Sequence, residues 1–167
     1  RGYVDGITDT TSPTWNTTQY IGRSEPVYTY SMTERSLSFN LKLFAMTQDE
    51  LDQIYDKLNH LVGCCYPQYK LDSINFDNKV RMKPPLLKLR YADLYGRKDN
   101  ELLGFLESLT FTFPDDHPWE IKKGKRVPKS VEVAIGYKAI NSKPPHMNTR
   151  FFGFDSITAD DSISGEV

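Results

Sequence analysis

The side chains able to do chemistry are few, and their spacing predicts no reaction. His60, His117 and His146 have no partner at helical spacing and no companion cysteine, so they do not form the ligand pattern of a zinc site. Cys64 and Cys65 are adjacent, without the two-residue spacer of a redox or metal motif, and neighbouring cysteines seldom meet disulfide geometry. They read as reduced thiols made in a cytosol and packed as a small buried pair. No serine lies in a Gly-x-Ser-x-Gly elbow, and no Gly-rich loop follows a strand to cradle phosphate. Asp115, Asp116 and Glu120 beside Trp119 have the layout of carboxylates at a sugar-stacking platform. Flanked by Pro114 and Pro118, the acidic residues read more simply as turn formers, and Trp119 as a plug at the end of a sheet. The chain is therefore expected to be no enzyme and to hold no metal or cofactor.

Charge and aromatic content point instead to contact with other proteins. Lys122, Lys123, Lys125, Arg126 and Lys129 fall within eight residues, whereas residues 155–167 hold four carboxylates, Asp160 and Asp161 among them, and no basic side chain. A solvated loop is the plain reading of the basic cluster; docking to an acidic protein surface is the other. In a ring of identical subunits the acidic end of one could meet the basic loop of the next. The net charge of -1, from 21 Lys and Arg against 22 Asp and Glu, is too balanced for general capture of a phosphate backbone. Aromatic residues make up 13% of the chain, ten of them tyrosines, more than a core of this size needs, and Tyr-rich surfaces are frequent at interfaces. Tyr66-Pro67-Gln68-Tyr69 is the densest group, although packing of a loop explains it as well. Tyr66, Tyr69, Trp119, Lys122, Lys123, Lys125, Arg126, Asp160 and Asp161 are thus the candidate assembly residues.

The elements that must position these residues can be read from periodicity. At 167 residues the chain suits one domain able to bury about 70% of the surface its unfolded form exposes. No run approaches the roughly 18 apolar residues of a spanning helix. Residue 1 is Arg with no apolar leader behind it, which reads as a mature form or a piece of something longer. Residues 1–26, rich in Thr, Ser, Gly and Asp, read as a polar arm or lead-in loop. Leu37, Phe39, Leu41 and Leu43 alternate with polar residues, a strand buried on one face, and Val27 to Met32 is its expected partner across a turn at Thr33 and Glu34.

Thr47 and Glu50 have capping-box spacing, and Leu51, Ile54, Leu58 and Leu61 follow at helical intervals until Gly63 offers a left-handed cap. One amphipathic helix near 47–62 is predicted against a sheet. A hairpin is expected between 86–94 and 102–113, then an exposed connection from Pro114 to Pro128, then a strand at 130–140 closing the sheet. The domain thus runs from 27 to 140, with an extension at 141–167 that ends acidic.

Several short motifs, in order, carry a resemblance. They are the alternating strand from Arg35 to Ala45, the helix from Asp49 to Leu61 running into Tyr66-Pro67-Gln68-Tyr69, and Pro84-Pro85 before Leu87-Lys88-Leu89-Arg90-Tyr91-Ala92-Asp93-Leu94. Gly104-Phe105-Leu106-Glu107-Ser108-Leu109, Trp119-Glu120, and Arg126-Val127-Pro128-Lys129 before Val131-Glu132-Val133 complete the series. Over residues 27–140 these resemble the tail-tube-like baseplate proteins of contractile-tailed bacteriophages, which join the baseplate hub to the tail tube. The resemblance implies a mainly β, α+β fold, an antiparallel sandwich or barrel with one packed helix. It also implies a virion protein assembled in the host cytoplasm, a subunit of a ring, hexameric by that likeness, stacked with tail-tube and hub proteins and helping to initiate the tube. Strands in that family continue across subunit boundaries, and it brings no catalytic residues. The alternative is a carbohydrate-binding module using Trp15, Trp119 and loop tyrosines as stacking platforms; a small hydrolase ranks last.

Overall fold

The computed structural model describes residues 1–72, 75–95, 101–141, 144–149 and 151–152, with the backbone alone for 70–72 and 75–81. The fold is mainly β, an α+β arrangement of antiparallel strands with one helix. In chain order it comprises β1 (Gly2–Thr18), β2 (Val27–Phe44), α1 (Gln48–Gly63), β3 (Gln68–Asp72), β4 (Asn75–Lys83), β5 (Leu87–Leu89), β6 (Leu102–Thr112) and β7 (Ser130–Ala139). Five strands form one sheet in the order β1-β2-β7-β6-β5, and β3 and β4 form a separate hairpin.

Alternation dictates which face of the sheet is covered. Leu37, Phe39, Leu41 and Leu43 of β2 stand opposite Tyr137, Ile135, Val133 and Val131 of β7, so one stripe of apolar side chains shares a face. Leu109 and Phe111 of β6 continue it across β7. A register shift between Leu106 and Ser108 lets Leu106 and Leu109 pack on the same side despite their odd spacing, as a bulge does. Helix α1 covers this stripe: Leu58 is buried with Val131, Val133 and Ile135, and Ile54, Tyr55 and Leu61 pack around them. The other face is open and carries small polar residues, among them Ser38, Asn40, Ser108 and Thr110, all exposed.

A second cluster occupies the far end of the same face, where Tyr137, Tyr95, Leu37 and Leu102 are buried together. The Tyr137 hydroxyl lies 2.8 Å from the Leu102 carbonyl and 2.9 Å from the Leu87 carbonyl, and so joins β7 to the β5–β6 hairpin. Gly104 has to be glycine, because a Cβ there would strike the Lys138 carbonyl and the Tyr137 ring. In this cluster Arg35 is buried against Asp9, with the Tyr95, Phe151 and Phe152 rings 5.1 to 5.4 Å from its guanidinium carbon.

The helix keeps its expected start and loses its expected stop. Thr47 caps it, accepting from the Glu50 N–H at 3.3 Å, and the Glu50 carboxylate accepts from the N–H groups of Met46 and Thr47. Leu51 and Leu58 are buried, whereas Ile54 and Leu61 are half-buried at the rim. Gly63 does not supply a left-handed cap; Cys64 ends the helix in right-handed conformation, and Cys64 and Cys65 close the last turn onto His60 and Val62. The two cysteines are free, but they are not a buried pair: Cys64 is half-buried and Cys65 exposed, because they lie past the last turn that faces the sheet.

Three strand readings are corrected. Residues 2–18, expected as an arm without strand structure, form β1 and pair along nearly the whole length of β2. No turn occurs at Thr33 and Glu34; both pair with β1, so β2 runs unbroken through the boundary, and the reversal falls at 19–26, where Gly22 takes φ +85°. Strand β7 does not close the sheet but lies at its centre, between β2 and β6. The expected 86–94/102–113 hairpin exists with a first strand of only three residues, and the β3–β4 hairpin was not foreseen.

Candidate assembly surface

The most exposed apolar surface lies on the β1–β2 hairpin. From Thr10 to Glu34 every residue is exposed except Pro26 and Val27, half-buried near the turn. Beyond Arg35, therefore, the hairpin leaves the sheet as an arm whose two strands pair only with each other, tied at its root by the Lys138 ammonium on Glu34 at 2.9 Å. Trp15 stands opposite Tyr30, their rings edge to face at 5.4 Å, and Thr17 stands opposite Tyr28. Met32, Tyr20 and Ile21 add exposed apolar surface along the arm and at its tip, Ile21 being fully exposed. Two strands that cover neither face nor edge bury little apolar surface between them, and exposed apolar patches of this kind are frequent at contact surfaces.

Among the described residues, the outer side of β1 and most of that of β6 lack a strand partner as well. Strand β1 has no described neighbour on its outer side. At the other end β5 covers β6 only from Leu102 to Gly104, leaving the outer edge of Phe105 to Thr112 without a described strand partner. Rows of unpaired N–H and C=O groups of this kind are templates for another strand.

The basic residues occupy a compact loop at the opposite end of the sheet from the arm. The Glu120 N–H donates to the Val127 carbonyl at 2.9 Å and the Lys129 N–H to the Pro118 carbonyl at 3.2 Å, drawing residues 118–129 into a closed loop. Gly124 reverses it with φ +85°. The Glu120 carboxylate accepts from the Ile121 and Lys122 N–H groups and pairs with Lys129 at 3.3 Å. The Lys122 N–H and then Lys129 hold that carboxyl below its ordinary range. Lys125 pairs with Asp52 on α1 and lowers the Asp52 pKa, and the Tyr55 hydroxyl donates to the Pro128 carbonyl at 3.1 Å. Trp119 does not plug the sheet end: it bridges Pro128 and remains 55% exposed.

The candidate residues do not converge on one site. Trp119, Lys122, Lys123, Lys125 and Arg126 share the loop, which docks beside Asp52 in the first half of α1. Tyr66 lies past the other end of that helix, on an open cleft of about 550 Å³ that also touches His60, Cys64, Lys83 and Leu86, and Tyr69 follows, half-exposed, on β3. Asp160 and Asp161 lie outside the described residues. Trp15 and Trp119 are at opposite ends of β2 and make no shared platform. The arm and the open edges were missed in the sequence; the Trp15, Tyr28 and Tyr30 side chains were the available signal, hidden by the polar background of residues 8–19.

Among the described residues no group of three His, Cys, Asp or Glu could hold a metal ion, and no helix is long and apolar enough to cross a membrane. The chain matches no protein-family model, and a search of curated proteins finds no match either.

Proposed function

We propose that this chain is a structural, ring-forming subunit that links the baseplate hub to the tail tube of a contractile-tailed phage and helps to start the tube. The observation that carries this reading is the pair of open sheet edges. Every neighbouring pair in the order β1-β2-β7-β6 is antiparallel, so β1 and β6 run in opposite directions. Copies related by rotation about an axis along the strands keep those directions. The β6 edge of one copy then meets the β1 edge of the next in antiparallel pairing, a head-to-tail contact that closes into a ring. The helix layer takes the larger circumference outside, and the small polar face with Ser38, Asn40, Ser108 and Thr110 turns toward the channel. The exposed aromatic arm extends the contact beyond the ring plane. This reading agrees with the motif order that resembles tail-tube-like baseplate proteins.

Electron microscopy of the purified chain tests it, with rings or stacked rings expected. Lysines at exposed Thr110 and Thr112 should blunt the β6 edge, removing rings while leaving the unfolding transition in place. A chain that remains monomeric at every concentration, or rings unaffected by the edge lysines, would overturn it.

A further inference from the structure

The loop at 118–129 sorts its cations into two groups. Lys125 and Lys129 are spent within the fold, on Asp52 and Glu120. Lys122, Lys123 and Arg126 are exposed and have no ion-pair partner among the described residues. They stand beside Trp119 and Ile121, the latter 83% exposed, on a backbone already fixed by its cross-loop hydrogen bonds. A preorganised patch of three exposed cations flanking two apolar side chains, with Lys122 also near enough to Asp52 to lower its pKa, suits a partner that presents carboxylates among apolar residues.

Residues 155–167 have that composition: Asp155, Asp160, Asp161 and Glu166, interspersed with Ile157, Ile163 and Val167. The chain enters this segment at the end of the sheet remote from the loop. Phe151 and Phe152 are seated on Arg35, and the Arg35 Nη2 donates to the Phe151 carbonyl at 3.3 Å. The loop, by contrast, adjoins Phe44 and Ala45, with the Ala45 N–H donating to the Lys129 carbonyl. Nine residues of β2 separate the two places, about 30 Å at strand rise. Phe152 therefore stands at one end of the sheet and the cations at the other. The 15 residues after Phe152 can extend about 50 Å, so their length allows the chain's own loop or that of another copy. A second copy placed end to end brings the two together directly.

We propose that the 118–129 loop of one copy holds the acidic residues 155–167 of a second copy, joining copies end to end along the strand axis. This rests on the ring-subunit reading, and it gives the stack a polarity: every copy offers the arm and acid at one end, the cations at the other. The contact is heterologous and does not close, so repetition extends a tube.

The test uses two full-length charge-reversed variants, K122E/K123E/R126E and D155K/D160K/D161K/E166K, followed by sedimentation and light scattering at low and high salt. Wild-type copies are expected to associate end to end and to do so less as salt rises. Each variant alone should associate about tenfold less or weaker still, as three lost ion pairs imply. An equimolar mixture of the two should recover association, because each supplies the end the other lacks. A mixture no more associated than its parts would overturn the proposal, since a segment bound to its own loop gives that result. So would wild-type association indifferent to both reversals. Microscopy of the same samples keeps the two readings apart: single rings that persist in both variants leave the ring intact and score this contact alone, and the mixing result stands whether the units that join are rings or single chains.

Discussion

Arg35 and Asp9 form a two-pronged ion pair at the point where the hairpin arm leaves the sheet, Nη2 to Oδ2 at 2.6 Å and Nε to Oδ1 at 3.2 Å. Both side chains are less than a tenth exposed. The Tyr95 hydroxyl also donates to Asp9, at 3.0 Å, so the carboxylate is satisfied from two elements. Removing one partner strands the other charge in an aromatic surround. Asp9→Ala should cost about 3–5 kcal/mol in denaturant unfolding, and Asp9→Leu with Arg35→Met should recover much of that loss. A double variant no more stable than Asp9→Ala would show that the pair is not what holds the arm's root.

Tyr95 and Tyr137 should ionise late. Burial pushes both up to about 12, and at Tyr95 the neighbouring Asp9 carboxylate adds to the effect. The unfolded chain releases these protons near pH 10 and the folded chain holds them, so folding stability is full below about pH 10 and falls as pH rises toward 12. Phenolate absorbance should rise in two stages, the second coinciding with loss of the fold. Tyr137→Phe should remove part of the late stage.

Acid should act at the basic loop. The Asp52 and Glu120 pKa values are both lowered, by Lys125 and by the Lys122 N–H with Lys129 respectively. Carboxyls lowered in the fold stabilise it above their ordinary values, near 4, and lose that contribution as pH falls through the lowered ones. Hydrogen exchange at residues 118–129 should therefore quicken below about pH 4, ahead of exchange in β7. Uniform quickening across both would count against local anchoring.

The helix face should show a gradient. Leu58→Ala is expected to cost about 2–5 kcal/mol, since its side chain is buried against Val131 and Val133. Leu61→Ala, at the half-buried rim, should cost less. Thr47→Ala removes the cap and should cost about 0.5–2 kcal/mol. Equal losses at Leu58 and Leu61 in thermal unfolding would mean that the helix sits differently.

Trp15→Ser with Tyr30→Ser should separate folding from assembly. Both residues are more than half exposed, so unfolding of the isolated chain should shift by about 0.5 kcal/mol or less. Ring or tube formation should fall sharply if the arm is a contact surface. Normal assembly together with a destabilised fold would reverse that assignment.

Legibility in the sequence followed burial. Alternation in β2 and β7 and the 3.6-residue period of α1 are readable because each has one dry face and one wet face. Residues 2–18 gave no such signal, because β1 covers little core and its outer half covers none. Its strand character comes from pairing with β2, a long-range hydrogen-bond ladder that periodicity does not record. The same holds for β3 and β4. Thr33 and Glu34 looked like a turn because polarity rises there; in the fold the apolar requirement simply ends at Arg35 while the strand continues. Within the loop, the sequence revealed five cations but not their sorting, which depends on where Asp52 and Glu120 lie in space.

Strand β2 runs from the core into the arm over 18 residues, about 60 Å at strand rise. One bulge interrupts the ladder within the arm, where Thr14 faces Met32 and Trp15 faces Tyr30, leaving Ser31 unpaired. If the exposed rings of Trp15 and Tyr30 are contact groups, newly made copies face a race between correct capture and nonspecific clumping. Timing and local concentration of the partner, rather than any internal switch, would then govern yield.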